Sequence, residues 1–273
     1  MFQSGNKISV LLRLLWIGLC ALAMLTQTRL LLGEALRPGW LDGFVLGGAV
    51  FAYHFTHPNR RMRAGAWLAG GLGGICFLLS LWGDGVSDLR VSSWQGVVLV
   101  PVALWSLYYG LQSPGNAGLR GVPMAKPLAV ALAWAWVTVL LPVPTGRWGE
   151  AGMILLGRTA FVFALALAYD WADLAYDQQR GLPTLAGRLG RKRTFLLING
   201  ALLCAALCSG ANVYLKIYEQ SMAFALLISL AWSAGWLHFV LSKNADVVAQ
   251  KMLIDGLMLL QCLILGIVSF CTE

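Results

Sequence analysis

The amino-acid sequence predicts an all-α, polytopic membrane protein, and three observations support this fold class. Hydrophobic residues make up 59% of the 273 positions and charged residues only 12%, which leaves too few polar groups to cover a soluble surface. The charged residues lie in short segments between apolar stretches of roughly 17 to 25 residues, the length of an α-helix that crosses the hydrocarbon core. Glycine and proline separate these stretches, for example at Arg37-Pro38-Gly39 and Ser113-Pro114-Gly115.

The apolar windows predict about nine transmembrane helices, which we expect to form a single integral membrane domain over residues 1–273. The first is expected to remain as an uncleaved anchor, because its apolar pattern continues to Leu32. The six cysteines lie within or beside the spans without metal-ligand spacing, so we expect free thiols. The predicted spans cover residues 8–32, 40–57, 64–82, 94–112, 127–142, 150–170, 193–215, 219–241 and 250–271.

Basic residues are distributed unevenly between the two sides of this predicted bundle. Clusters such as Arg60–Arg63 and Arg188–Arg193 lie on the same side as residue 7, so the positive-inside rule predicts a cytoplasmic N-terminus. We expect a multi-pass protein of a bacterial inner membrane, in contact with membrane lipids. The net charge of +8 is divided among short segments between the spans. Because there is no continuous basic face, no nucleic-acid partner is expected.

Three aspartates at the end of the sixth predicted span form the most informative pattern. Asp170, Asp173 and Asp177 are spaced i, i+3 and i+7, which places them on one face of a helix. Like charges on one stripe repel each other, and oxygen ligands favour Mg²⁺, which is usually held by one or two carboxylates and substrate phosphates. We therefore predict a magnesium diphosphate site. The alternative is a solvated helix end whose charge is compensated by Arg180.

The segment after the aspartates is rich in turn-forming residues. It contains Gly181-Leu182-Pro183-Thr184-Leu185 and then Gly187-Arg188-Leu189-Gly190. We predict a compact loop that returns Arg188 towards the carboxylates, where its guanidinium group would bind phosphate oxygens.

The pattern DxxDxxxD followed by GxxTL resembles the second aspartate motif of the UbiA superfamily of intramembrane prenyltransferases. The predicted layout agrees with that family, which has nine helices and cytoplasmic motifs after the second and the sixth. The stretch from Arg120 to Lys126 is also similar to the family's entry to its fifth helix, where basic residues contact diphosphate. The resemblance implies a UbiA-like bundle around a cytoplasm-facing cavity. It also implies that the three aspartates bind Mg²⁺ and that Arg120 and Lys126 contact the diphosphate.

Family chemistry, as the resemblance implies, is transfer of a prenyl group from a polyprenyl diphosphate to an aromatic or other lipophilic acceptor in isoprenoid and lipid biosynthesis. Negative charge grows on the leaving diphosphate, so cations already in place stabilise the transition state more than the ground state. On this interpretation the catalytic residues are Asp170, Asp173, Asp177 and Lys126, with Mg²⁺ as the cofactor.

The family's first motif, NDxxDxxxD, is degenerate in this chain. The end of the second predicted span reads YHFTHPNRR from Tyr53 to Arg61 and contains no aspartate. We predict that His54 and the arginines Arg60, Arg61 and Arg63 bind the diphosphate directly, which would substitute fixed positive charge for a second Mg²⁺.

Two charged residues within predicted spans, Arg158 and Asp255, need either partners or a polar cavity, because an isolated charge in the bilayer is costly. Asp255 is interpreted as lining the cavity near an acceptor or as structural, and a pairing with Arg158 stays open. Two other functions also remain open. One is a catalytically weakened relative that binds prenyl diphosphate or lipid, or supports a biosynthetic complex. The other is a small-molecule transporter, which ranks last because the aspartates lie on one side of the membrane.

Overall fold

The computed structural model describes residues 7–34, 36–55, 60–82, 97, 99–104, 124–144, 146–179, 184–242 and 246–272. All regular structure within these ranges is helical. The helices are α1 (Lys7–Leu31), α2 (Trp40–His54), α3 (Arg60–Trp82), α4 (helical at 97 and 99–104), α5 (Ala125–Ala135), α6 (Trp148–Ala172), α7 (Leu174–Gln179), α8 (Leu185–Tyr214), α9 (Gln220–Ser242) and α10 (Val247–Thr272). A π-helical turn, Trp136–Leu140, continues α5.

Six helices, namely α1, α3, α6, α8, α9 and α10, are long and apolar enough to cross a membrane. The predicted all-α, polytopic membrane fold is therefore confirmed. The helix α2 has 15 residues, and α5 with its π-helical turn covers Ala125–Leu140. Most of the fourth predicted span lies outside the described residues, so the number of nine spans stays a prediction. All six cysteines are free, as expected.

The helices pack in a bundle in which α1 contacts α2 and α10, while α6 contacts α5 and α8. The helices α2 and α3 approach each other most closely at glycine residues. A β-carbon at Gly47 would lie 2.4 Å from the carbonyl oxygen of Ala69 and 3.0 Å from the backbone of Gly73. Small residues allow close backbone approach between membrane helices, where van der Waals packing drives association.

Polar side chains in the apolar interior connect neighbouring helices. Arg158 of α6 donates to the carbonyl oxygen of Met24 (2.9 Å) and to Thr28 Oγ1 (3.4 Å), both in α1. Thr28 Oγ1 in turn donates to the carbonyl oxygen of Thr138 (2.9 Å) in the π-helical turn. A buried polar group without a partner is costly, so these bonds hold α1, α5 and α6 together. The pairing of Arg158 with Asp255 is not formed, because α1 satisfies the guanidinium group instead.

The loop predicted over residues 181–190 is wrong from residue 185 onwards, because α8 begins at Leu185. Residues 180–183 lie outside the described residues. Thr184 caps this helix, with its hydroxyl oxygen accepting a hydrogen bond from the backbone N–H of Gly187 at 3.2 Å. Gly190 has a φ of 69°, which produces a kink inside the helix where the turn residues predicted a loop.

We predict that Gly47→Ala lowers the free energy of unfolding by about 1–3 kcal/mol, because the added methyl group meets backbone that must move. Gly71→Ala in α3 is the matched control, since a β-carbon there meets nothing within 4 Å. Thermal unfolding of both variants in the same detergent tests this expectation. Equal melting temperatures for the two variants would contradict the close approach of α2 and α3.

Candidate active site

A cavity of about 780 Å³ lies between α1, α2, α4, α5, α6 and α10. Its volume is within the range of sites that hold small molecules. Most of its wall is apolar or aromatic, with Trp16, Phe44, Leu99, Trp134 and Val137 on different helices. The charged residues of the wall are Lys126, Asp170, Asp173, Lys251 and Asp255.

The directions of three helices bring most of these charges to one end of the cavity. Lys126 lies in the first turn of α5, Asp170 in the last turn of α6 and Lys251 in the second turn of α10. The helices α5 and α10 therefore begin where α6 ends. The apolar remainder of the wall extends into the bundle from this charged end.

Two lysine–aspartate ion pairs form the centre of the charged end. Lys126 Nζ lies 2.7 Å from Asp170 Oδ1, and Lys251 Nζ lies 2.7 Å from Asp173 Oδ1. The Asp170 residue is only 1% exposed, whereas the two lysine side chains are 36% and 32% exposed. The ammonium groups therefore offset the repulsion among the carboxylates. They also remain accessible at this charged end, which is the mouth of the cavity.

Two aspartates of this region have a carboxylate oxygen that is buried without a hydrogen-bond partner in the described part of the chain, namely Asp170 Oδ2 and Asp177 Oδ2. Asp170 lines the cavity, whereas Asp177, in α7, is not part of its wall. Burial raises the pKa of the Asp177 carboxyl group, and the positive charge of Lys126 opposes this effect. Buried, unpartnered carboxylate oxygens fit the donors that a hard cation such as Mg²⁺ prefers.

The carboxylates alone do not form a complete metal site. Within the described ranges, no three Asp, Glu, His or Cys side chains lie together as ligands of one ion. The assignment of Asp170, Asp173 and Asp177 as metal ligands therefore stays a prediction. Oxygens from a phosphate-bearing ligand would have to complete the coordination, which is a common arrangement for Mg²⁺.

A second polar group lies one helical turn farther along α10. The hydroxyl group of Tyr169 donates a hydrogen bond to Asp255 Oδ2 and lies 3.3 Å from the carbonyl oxygen of Lys251. Asp255 is 6% exposed. Asp255 was singled out in the sequence as an intramembrane charge, but Tyr169 and Lys251 were not predicted as site residues. The four-residue spacing of Lys251 and Asp255, which places both on one face of α10, was the available signal.

Several residues predicted to bind substrate do not line the cavity. The arginines Arg60, Arg61 and Arg63 are exposed in the first turn of α3, and Arg188 is exposed in the first turn of α8. His54 is half-buried at the end of α2, where its ring centroid lies 6.4 Å from that of Tyr53. Their contact with diphosphate stays a prediction. Arg120 lies outside the described residues.

We predict that Lys126→Met lowers thermal stability, because it leaves Asp170 buried without its cation, a change that costs about 1–3 kcal/mol. The double variant Lys126→Met with Asp170→Asn should recover part of the loss, since the amide carries no charge. Melting temperatures of the two variants and the parent protein form the measurement. A double variant less stable than Lys126→Met would contradict the ion pair's stabilising role.

No family model matches the chain. A glycinol 4-dimethylallyltransferase from Glycine max is 27% identical over an alignment of 176 residues, which covers 61% of this chain and 39% of that relative. A solved structure described as digeranylgeranylglyceryl phosphate synthase in membranes superposes with a TM-score of 0.61 at 13% identity, covering 97% of this chain and 99% of that one.

The fold is therefore that of the solved digeranylgeranylglyceryl phosphate synthase. The two similarities also support the predicted resemblance to the UbiA superfamily. That the second aspartate motif is present and the first degenerate stays an interpretation of the sequence.

Proposed function

We propose that the protein is a UbiA-type prenyltransferase that moves a prenyl group from a polyprenyl diphosphate to an aromatic or other lipophilic acceptor. The observation that carries this proposal is the cavity, whose long apolar wall ends at the lysine–aspartate cluster. Such a cavity suits a substrate with a hydrocarbon chain and an anionic head. The name of the dimethylallyltransferase relative also supports prenyl transfer.

In this reaction, the bond between C1 of the prenyl chain and the diphosphate oxygen breaks, and its electron pair leaves with the diphosphate. The acceptor forms a new bond to C1 and loses a proton. Lys126 and Lys251 lie where their ammonium groups would contact the departing diphosphate, and the apolar wall excludes water from the allylic cation. The residues proposed to hold Mg²⁺, whose charge offsets that of the leaving group, are Asp170, Asp173 and Asp177.

The proposal includes a cavity that opens to the cytoplasm of a bacterial cell, with the protein in the inner membrane and its N-terminus cytoplasmic. The opposite end of the bundle supports this orientation, since two of its arginines form ion pairs with acids. Arg29 lies 2.7 Å from Asp42, and Arg147 lies 2.7 Å from Glu34 and 2.6 Å from Glu150. At the cavity end, exposed arginines at the starts of α3 and α8 give an excess of positive charge.

We predict that Asp170→Asn and Asp177→Asn each reduce turnover at least about a hundredfold, the scale of losing one electrostatic stabiliser of a transition state. The assay uses purified protein in nanodiscs with radiolabelled prenyl diphosphates, Mg²⁺ and a panel of phenolic and lipid acceptors. Chelation of Mg²⁺ should reduce turnover of the wild type to the same extent. Glu219→Gln, an acid at the opposite end of the bundle, is the control. Activity that survives both substitutions and chelation would contradict the proposed site.

We predict that Lys251→Gln lowers turnover more than Lys251→Arg, because the arginine keeps a cation beside Asp173 and the glutamine does not. Lys251→Gln should also need a higher Mg²⁺ concentration for half-maximal activity, because Mg²⁺ then has to supply the positive charge that Lys251 supplies in the wild type. Titration of activity against Mg²⁺ for the two variants measures this. Identical Mg²⁺ titration curves for the two variants would contradict a role of the Lys251 charge in turnover.

The second candidate is a catalytically weakened relative that binds prenyl diphosphate or lipid, or supports a biosynthetic complex. The aspartate-free sequence from Tyr53 to Arg61 favours it, because the carboxylates of a second metal site are missing. Such a protein would bind prenyl diphosphate in a Mg²⁺-dependent way and release no diphosphate with any acceptor. The turnover assay therefore distinguishes the two functions.

A further inference from the structure

Asp255 is a charged group in the cavity wall that prenyl transfer, as described above, does not use. It lies one turn beyond Lys251 in α10, in the wall of the same cavity, and is 6% exposed. Tyr169 donates a hydrogen bond to its Oδ2. Among the described residues, no other side chain donates a hydrogen bond to this carboxylate. A buried carboxylate in a cavity wall with unused acceptor capacity indicates a place for a hydrogen-bond donor.

The aspartates Asp170 and Asp173 of the wall form ion pairs, whereas Asp255 forms none and Lys251 acts on it only at longer range. Lys126 pairs with Asp170 and Lys251 pairs with Asp173, so both described lysines of the wall contact an aspartate of α6. A ligand that carries a carboxylate or phosphate beside Asp255 would therefore meet a like charge in an apolar cavity, where repulsion is poorly screened. A neutral ligand with a hydroxyl group meets an acceptor instead.

We infer that the acceptor substrate is a neutral phenol or alcohol whose hydroxyl group donates a hydrogen bond to Asp255. This inference rests on the proposed prenyl transfer and specifies its second substrate. Tyr169 is a positioning residue, because its hydroxyl group fixes the orientation of the carboxylate from the neighbouring helix α6. The inference excludes aromatic carboxylates and phosphorylated alcohols as preferred acceptors, since both bring negative charge to Asp255.

Three matched ligands test this inference: 4-propylphenol, its methyl ether 4-propylanisole, and 3-(4-hydroxyphenyl)propanoate. Binding is measured by titration calorimetry with the protein in nanodiscs, with empty nanodiscs subtracted to remove partition into lipid. The phenol should bind at least tenfold more tightly than both the ether, which has no donor, and the propanoate, which is charged. A propanoate that binds as tightly as the phenol overturns the inference.

Variants then assign the selectivity to Asp255. Asp255→Asn should narrow the preference for the phenol over the propanoate to less than threefold, because it removes the charge and keeps an oxygen acceptor. Tyr169→Phe should weaken phenol binding several-fold and keep the preference against the propanoate. Asp246→Asn, an exposed acid before the first turn of the same helix, is the control and should change neither. Unchanged selectivity in Asp255→Asn overturns the inference.

A parallel measurement separates this inference from the proposed function. Mg²⁺-dependent binding of geranylgeranyl diphosphate is titrated in the same preparations, and it should be equal in the wild type and Asp255→Asn. Absence of this binding in the wild type overturns prenyl transfer, whereas the ligand order still decides the role of Asp255. If Asp255→Asn does not fold, the wild-type ligand order and Tyr169→Phe remain decisive.

Discussion

The ion pairs Lys126–Asp170 and Lys251–Asp173 determine how the starts of α5 and α10 are placed against the end of α6. Burying a carboxylate beside an apolar cavity is costly, and in both pairs a cation from another helix offsets that cost. The same contacts define the mouth of the cavity and place its charge at one end. The apolar wall and the charged mouth are therefore two results of one packing arrangement.

A second set of polar contacts, centred on Arg158 and Thr28, lies deeper in the bundle than these ion pairs. Arg158 contacts α1 through Met24 and Thr28, and Thr28 contacts the π-helical turn at Thr138. A π-helical turn leaves backbone carbonyl groups outside the regular helical pattern, and π-bulges are frequent at functional sites. Here one such carbonyl accepts a bond from α1, next to residues that line the cavity. The shape of the cavity therefore depends on a polar network that includes Thr138 of its wall.

The sequence predicted the fold class well, because spans of about 20 apolar residues are set by the thickness of the bilayer. Its local patterns also selected Asp170 and Lys126, which the structure places in the cavity wall, while their roles stay predictions. It did not identify Lys251 or Tyr169, because their contacts join residues that lie far apart in the chain or that have no distinctive local pattern. The arginines of α3 were predicted as site residues from their position after α2. Their side chains are exposed and not part of the cavity wall, and single-sequence periodicity could not show this.

The partial exposure of Lys126 and Lys251 has a consequence for the turnover cycle in the proposed reaction. Each ammonium group has an internal counter-ion and would exchange it, wholly or in part, for diphosphate when the substrate arrives. When diphosphate leaves, each ammonium group would pair with its aspartate again, so the carboxylates would act as intramolecular competitors of diphosphate. In the proposed reaction Asp170 and Asp173 would thus compete with diphosphate for the two ammonium groups, which would favour release of this product.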